Sequence, residues 1–443
     1  MKKAGATRPF FMLNRLSRAW LALTPARRVV VAVILLAAAT LPVLSRLALG
    51  RTAGDISVFR NGVEALLQGF VYRDGAFEYP PYALAWFVVP HALSHDLESF
   101  RFAFGLEMWL VDAVIKALLL WRGMRARAGL GDLAPFLAYS VGGFALGHVI
   151  LQRYDLVPAA LTLGAALAVA GGGAFLGGVL VAVGVGTKLY PALLVPMLAV
   201  FAWRSDRRRG LVRFVSGMAI AAVPALLAAF WMPWWRFASY HLARGLQAES
   251  PLASIVWALH FFGVTAGWEL VWRAVEVTGP LASRLAGPGR VLWVAATLAC
   301  LASATLAAWR MAQTSRHVSM AEMAAVLLLP IAAFVSTNVV LSPQFHLWLL
   351  PLAALVLVPP PVGPPGARRA AWCIVFATVI VPVFFPHREY AAGLGLFRTA
   401  VLLLRNGVLI YATISLWLAV RKMGKPHHEG HEGHEGHEVS RAA

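Results

Sequence analysis

VVVAVILLAAATLPVLSRLALG, residues 29–50, carries one charged side chain, Arg46. A helix needs roughly 20 mostly apolar residues to cross a bilayer core, and this run supplies them. Its hydrophobicity is continuous rather than alternating, which predicts a helix and not a barrel strand. It is too long, and its basic lead-in too extended, for an ordinary cleaved signal peptide, so a retained first span is expected. Similar runs follow at 79–93, 100–121, 133–151, 156–170, 174–186, 189–203, 211–232, 291–311, 320–340, 344–358, 370–386 and 394–420. A further run, 255–272, is interrupted by His260 and Glu269.

Composition agrees. Apolar residues make up 60% of the 443 and charged residues 13%, against about 25% charged in a soluble domain. The formal net charge of +19 sits beside the spans. Lys2, Lys3, Arg8, Arg15, Arg18, Arg27 and Arg28 precede the first run. Arg204, Arg207, Arg208, Arg209 and Arg213 lie between two runs, as do Arg368 and Arg369. Arg421, Lys422 and Lys425 follow the last. Short basic loops beside spans are the positive-inside pattern and argue against nucleic-acid binding. Both termini are therefore expected on the cytoplasmic side of a plasma membrane, with membrane lipids as surroundings. An even number of crossings follows, and about twelve fits the runs. Cys300 and Cys373 both lie in apolar runs, so neither a disulfide framework nor a cysteine metal site is expected.

The expected fold is an all-α polytopic membrane protein. Residues 1–28 form a basic cytoplasmic segment, 29–420 one integral-membrane domain, and 421–443 a disordered cytoplasmic tail. That tail repeats His-Glu-Gly from His427 to Glu438; a period of three aligns no helix face, and a solvated tail without a role in the main activity is the plainer reading. Two topologies remain open. In one, 174–203 is a single kinked helix and Arg122, Arg125 and Arg127 face outward. In the other, the run at 79–93 is re-entrant, those arginines face the cytoplasm, and Lys188 lies near the outer surface. The second obeys the charge rule better.

Polar islands interrupt this background. Asp55 opens the first, in a loop that continues through Tyr72-Arg73-Asp74-Gly75 to Glu78-Tyr79-Pro80-Pro81. Within it Phe59, Val63, Leu66, Leu67 and Phe70 recur at helical steps, with Arg60, Glu64 and Gln68 on another face. An amphipathic helix in the membrane interface is expected, and Asp55 at its start also suits a helix cap. The other islands are Gln152-Arg153-Tyr154-Asp155, Thr187-Lys188-Leu189-Tyr190-Pro191, Arg244-Gly245-Leu246-Gln247-Ala248-Glu249-Ser250 and Ser342-Pro343-Gln344-Phe345-His346. Ionisable groups at membrane depth are costly and usually face a cavity or one another. Plainer readings pair Arg153 with Asp155 and Arg244 with Glu249, and let Lys188 reach to the interface. No Asp-x-Asp motif, His/Asp ligand cluster or Gly-rich phosphate loop is present, so neither a metal, another cofactor nor a soluble nucleotide-sugar domain is expected.

The run 72–81, together with Arg153-Tyr154-Asp155-Leu156, Lys188-Leu189-Tyr190-Pro191, 244–250 and Ser342-Pro343-Gln344, resembles in order the signatures of glycosyltransferase family 87. The resemblance implies a fold of the C-type glycosyltransferase kind. It implies a polyprenyl-phosphate sugar donor, mannose by family weight, and inverting transfer to a lipid or glycan acceptor on the non-cytoplasmic face. It implies Asp55 as catalytic base. Substrate contacts are then expected among Arg60, Tyr79, Arg153, Asp155, Lys188, Tyr190, Arg244, Gln247, Glu249, Gln344 and His346. Chemically, a carboxylate deprotonates the acceptor and a cation meets the charge growing on the leaving phosphate. The competing reading is a secondary transporter or lipid flippase, which broken helices near Lys188 and Pro191 would suit.

Overall fold

The computed structural model describes residues 16–49, 54–73, 77–237, 244–271, 274–314, 317–359, 365–383 and 395–424. The basic residues before Leu16, Asp74-Gly75 of the first loop and the His-Glu-Gly repeat lie outside them. The opening run becomes α1 (Pro25–Leu49), and the first loop contains α2 (Gly54–Leu67). Then come α3 (Ala83–Ala92), α4 (Leu97–Met124), α5 (Ala134–Ala145), α6 (Leu156–Ala170), α7 (Ala174–Thr187) and α8 (Val195–Ala228). After α9 (Pro251–His260), a hairpin of β1 (Gly267–Val271) and β2 (Ala274–Thr278) precedes α10 (Pro280–Gln313). The chain closes with α11 (Met320–Ser336), α12 (Phe345–Val356), α13 (Pro365–Val379) and α14 (Leu396–Lys422). Among the described residues, five stretches are long and apolar enough to cross a membrane: Pro25–Leu47, Tyr190–Ala228, Pro280–Gln313, Pro365–Val383 and Leu396–Lys422. The protein is a helical membrane protein.

Contacts between distant residues show which helix ends meet. α1 and α4 run antiparallel: Arg101 Nη1 donates to the Leu47 carbonyl, Trp109 Nε1 to that of Thr40 and Lys116 Nζ to that of Ala39, each at 2.9 Å. Lys116 also pairs with Asp112 at 2.6 Å, and Tyr139 of α5 donates to the same carboxylate at 3.1 Å. Fully buried charges thus satisfy one another, as lipid-depth residues must. At one end, Trp20 Nε1 donates to Asp132 at 3.1 Å and the Leu130 amide to Ser17 Oγ at 3.2 Å. Arg122, Arg125 and Arg127 therefore stand at the end of the N-terminal segment. Arg204 donates to the Met311 and Thr314 carbonyls at 2.6 and 2.8 Å, joining the arginine-rich turn of α8 to the end of α10.

Two features of the helices bear on the alternative topologies. α3 has ten residues, about 15 Å at 1.5 Å per residue, too short for a core of about 30 Å. It leaves the Tyr79 region and returns to the start of α4, beside Leu47. The single helix over 174–203 does not form. Lys188 adopts extended backbone (φ −157°, ψ 142°) after α7, and Pro191 opens a short 3-10 turn, Tyr190–Leu194. Proline has no N–H with which to continue α7. α8 itself breaks at Asp206 and Arg207, where φ is −149° and 46°.

α7 and the second half of α8 touch through backbone. A Cβ on Gly178 would meet the Phe214 carbonyl at 2.0 Å, and one on Gly217 the Phe175 carbonyl at 2.2 Å. Small residues permit such approach where no hydrophobic force drives helices together. α11 and α12, apolar all round, are buried on nearly every residue and form the centre.

The run at 255–272 is corrected. Its helical part stops at His260, Gly263 takes φ 89°, and 267–271 becomes β1. Gln247 and its neighbours join as a third strand-like segment: Val277 N–H donates to the Leu246 carbonyl at 2.8 Å and Ala248 N–H to that of Val275 at 2.9 Å. The amphipathic face of α2 is also redrawn. Ile56, Phe59 and Val63 are buried, but Leu67 and Phe70 are exposed because the helix ends at Leu67.

Candidate active site

Asp55 lies in the first turn of α2, where the helix dipole favours an acid. It caps nothing among the described contacts; its Oδ2 takes an ion pair from Arg153 Nη1. Arg153 leaves the short helical turn Val149–Gln152 in extended backbone (φ −128°, ψ 128°), which turns its side chain away from that helix. Asp155 begins α6 without capping it. It accepts instead from Lys188 Nζ and from Trp348 Nε1, each at 2.7 Å. The sequence pairing of Arg153 with Asp155 is therefore replaced by two longer-range pairs.

Aromatic rings surround the second pair. The Lys188 ammonium lies 4.7 Å from the Tyr154 ring centre, 5.3 Å from that of Trp348 and 6.0 Å from that of Tyr79, positions that attract a cation to a π face. Trp348 is stacked between Tyr190 (4.4 Å) and Phe345 (4.0 Å). Tyr79 and Tyr154 meet edge to face at 5.0 Å, and Phe59 of α2 touches both. Tyr79 is fixed from the loop by Tyr72, whose hydroxyl donates to the Tyr79 carbonyl at 2.8 Å. Tyr72 holds φ 68°, unusual for a bulky residue. Burial raises the hydroxyls of Tyr72 and Tyr79 above the ordinary phenol range, with the Glu78 charge adding at Tyr79. Both stay protonated and able to donate.

Arg244, Gln247 and Glu249 occupy a different group. Arg244 Nε pairs with Glu276 of β2 at 3.1 Å, not with Glu249. Gln247 Nε2 donates to Ser342 Oγ at 2.7 Å. Glu249 pairs with Arg405 of α14 at 2.7 Å, and Asn406 donates to the Glu249 carbonyl at 3.2 Å. The segment 342–348 stands between the groups: Ser342 binds Gln247, while Trp348 binds Asp155. Gln344 immediately precedes α12. His346 is fully buried, with Nδ1 3.0 Å from Thr378 Oγ1. Arg60 pairs with Glu64 at 3.0 Å on its own helix.

The structure thus brings together Asp55, Arg153, Asp155, Lys188, Tyr79 and Tyr190, and sets Arg244, Gln247 and Glu249 apart with partners of their own. Sequence reading missed Trp348, Glu276 and Arg405 as members. Trp348 offers no signal, because a tryptophan in an apolar run reads as core. Arg405-Asn406 inside the last run was such a signal, being polar at membrane depth.

The sequence model of glycosyltransferase family 87 matches residues 77–343. The chain belongs to this family. No curated protein matches it. Family 87 membership makes the protein a glycosyltransferase, with a sugar donor and an acceptor as substrates. The match contains Tyr79, Arg153, Asp155, Lys188 and Tyr190 from the first group and Arg244, Gln247, Glu249 and Glu276 from the second. Asp55, Arg60, Gln344, His346 and Trp348 lie outside it.

Proposed function

We propose that this family 87 glycosyltransferase moves a hexose, mannose first, from a polyprenyl phosphate to a lipid or glycan acceptor, with Asp55 as general base. The observation that carries the reading is the meeting of Asp55 with Arg153 beside the Lys188–Asp155 pair, at the end of the bundle opposite the arginine-rich turns. The basic turns at Arg204–Arg213 and after α14 favour both termini on the cytoplasmic side of the plasma membrane, with about twelve crossings and α2 in the outer interface. The site then faces the non-cytoplasmic leaflet, where a lipid headgroup is reachable.

In the reaction, the acceptor oxygen attacks the anomeric carbon from the face opposite the phosphate. The bond from that carbon to the phosphate oxygen breaks, and the configuration inverts. The acceptor proton goes to Asp55, and polyprenyl phosphate leaves with one more negative charge than the diester carried. Lys188 and Arg153 are the cations that meet this charge. Tyr79 and Tyr154 supply aromatic rings beside the Lys188 ammonium. A positioned base contributes about 10²–10⁴ in rate.

The test uses purified protein, polyprenyl-phosphomannose and a glycan or lipid acceptor. Transfer is expected, and Asp55→Asn should lose it while expression holds and the melting temperature moves by no more than a few degrees. Wild-type-like transfer by Asp55→Asn would remove the base. Movement of lipid across proteoliposomes with no glycosyl donor present would instead favour a flippase.

A further inference from the structure

We propose that Asp55 and Arg153 form an exchangeable lock: the donor's phosphate takes over the Arg153 guanidinium and so frees Asp55 to receive the acceptor's proton. The inference rests on the reading of Asp55 as base and adds how that base is held when no donor is bound. A carboxylate paired with a guanidinium is a weaker proton acceptor than a free one. With Arg153 on Oδ2, Asp55 is in the wrong state for catalysis until something removes the cation.

The neighbouring groups leave the phosphate as that agent. Asp155, the nearest carboxylate in sequence, spends its hydrogen bonds on Lys188 and Trp348 at 2.7 Å each and reaches Arg153 only through its charge, so the direct ion pair of Arg153 is with Asp55. Lys188 is fixed by that carboxylate and by three aromatic rings. One cation is therefore stationary and the other is held by a single described carboxylate. A planar guanidinium matches phosphate oxygens in a two-pronged fashion that a lysine cannot reproduce. Access also fits. The side chains of Arg153 and Asp55 keep 18% and 16% exposure, whereas those of Arg405 and Glu249 keep 0% and 1%. The first pair can be reached and opened; the second cannot. The exchange conserves charge at Arg153 and delivers a free base only when a donor is in place. That order keeps the base paired in the empty enzyme.

The experiment measures binding of polyprenyl phosphate, and of uncharged polyprenol as control, to the full chain in nanodiscs. Asp55→Asn removes the competitor and should tighten polyprenyl phosphate about two- to fivefold, the range of a partly exposed ion pair. Arg153→Gln should weaken it tenfold or more, with Arg153→Lys between the two. Polyprenol should bind all forms alike. Opposite signs for the two substitutions are the signature, since a merely structural pair would move both lipids in the same direction. Unchanged or weaker binding by Asp55→Asn overturns the exchange, as does unchanged binding by Arg153→Gln. Where a variant fails to fold, the wild-type structure with polyprenyl phosphate decides. Arg153 should contact the phosphate with Asp55 released, and an intact pair beside bound lipid overturns the lock. Transfer assays stay separate: full activity of Asp55→Asn sinks the base itself, whatever the binding shows.

Discussion

The pairs Arg153–Asp55 and Arg405–Glu249 look alike in sequence: an arginine and an acid, each beside an apolar run. In the structure they are opposites. Arg405 and Glu249 are sealed, and Arg405 also reaches Asn406 at 3.1 Å and the Glu249 backbone carbonyl. This pair ties the 244–250 segment to α14. Arg153 and Asp55 are partly open and stand next to a lysine ringed by aromatics. A sealed pair stabilises a loop, while an open pair beside a fixed cation is free to change partners. Exposure, rather than charge, separates scaffold from chemistry here.

The contrast can be broken most sharply at the sealed pair. Arg405→Met should strip the buried Glu249 of its guanidinium partner, at a cost of about 3–5 kcal/mol. The expected readout is a large fall in melting temperature in detergent; an unchanged value would mean that the pair carries no structural load. Asp55→Asn is the mirror image. Its rate loss of about 10²–10⁴ should come with a shift in melting temperature of only a few degrees, and equal losses in both would erase the distinction. Trp348→Phe keeps the stack but deletes the N–H that holds Asp155. With Lys188 still in place, about 1 kcal/mol of that hydrogen bond is lost. Transfer efficiency should drop several-fold, while a form with unaltered kinetics would show that Asp155 needs no second donor. Arg213→Ala, at an exposed pair with Asp206 (3.3 Å), should cost between 0 and about 1 kcal/mol. A larger change in melting temperature would show that exposure does not sort these pairs.

The site was half legible. Arg153, Asp155, Lys188 and Tyr190 announce themselves because polar residues are rare in lipid-facing sequence. Their partners did not. Local spacing offers Arg153–Asp155 and Arg244–Glu249, two and five residues apart. The fold instead pairs Asp55 with Arg153 and Arg244 with Glu276. The β1–β2 hairpin was hidden because Trp268, Leu270 and Val271 read as part of a span. Strand and buried helix share short apolar runs, and periodicity alone does not part them.

The sequence by itself determined that this chain is a helical membrane protein with basic turns between its apolar runs. Long continuous apolar runs have no other way to satisfy their backbone in lipid. It also carried the family, through short motifs in order. Only the tertiary structure decided which charges meet. An ion pair forms between side chains that helix packing brings within a few ångströms, and α2, the start of α6, the end of α7 and α12 converge from distant parts of the chain to set Asp55, Arg153, Lys188 and Trp348 beside one another.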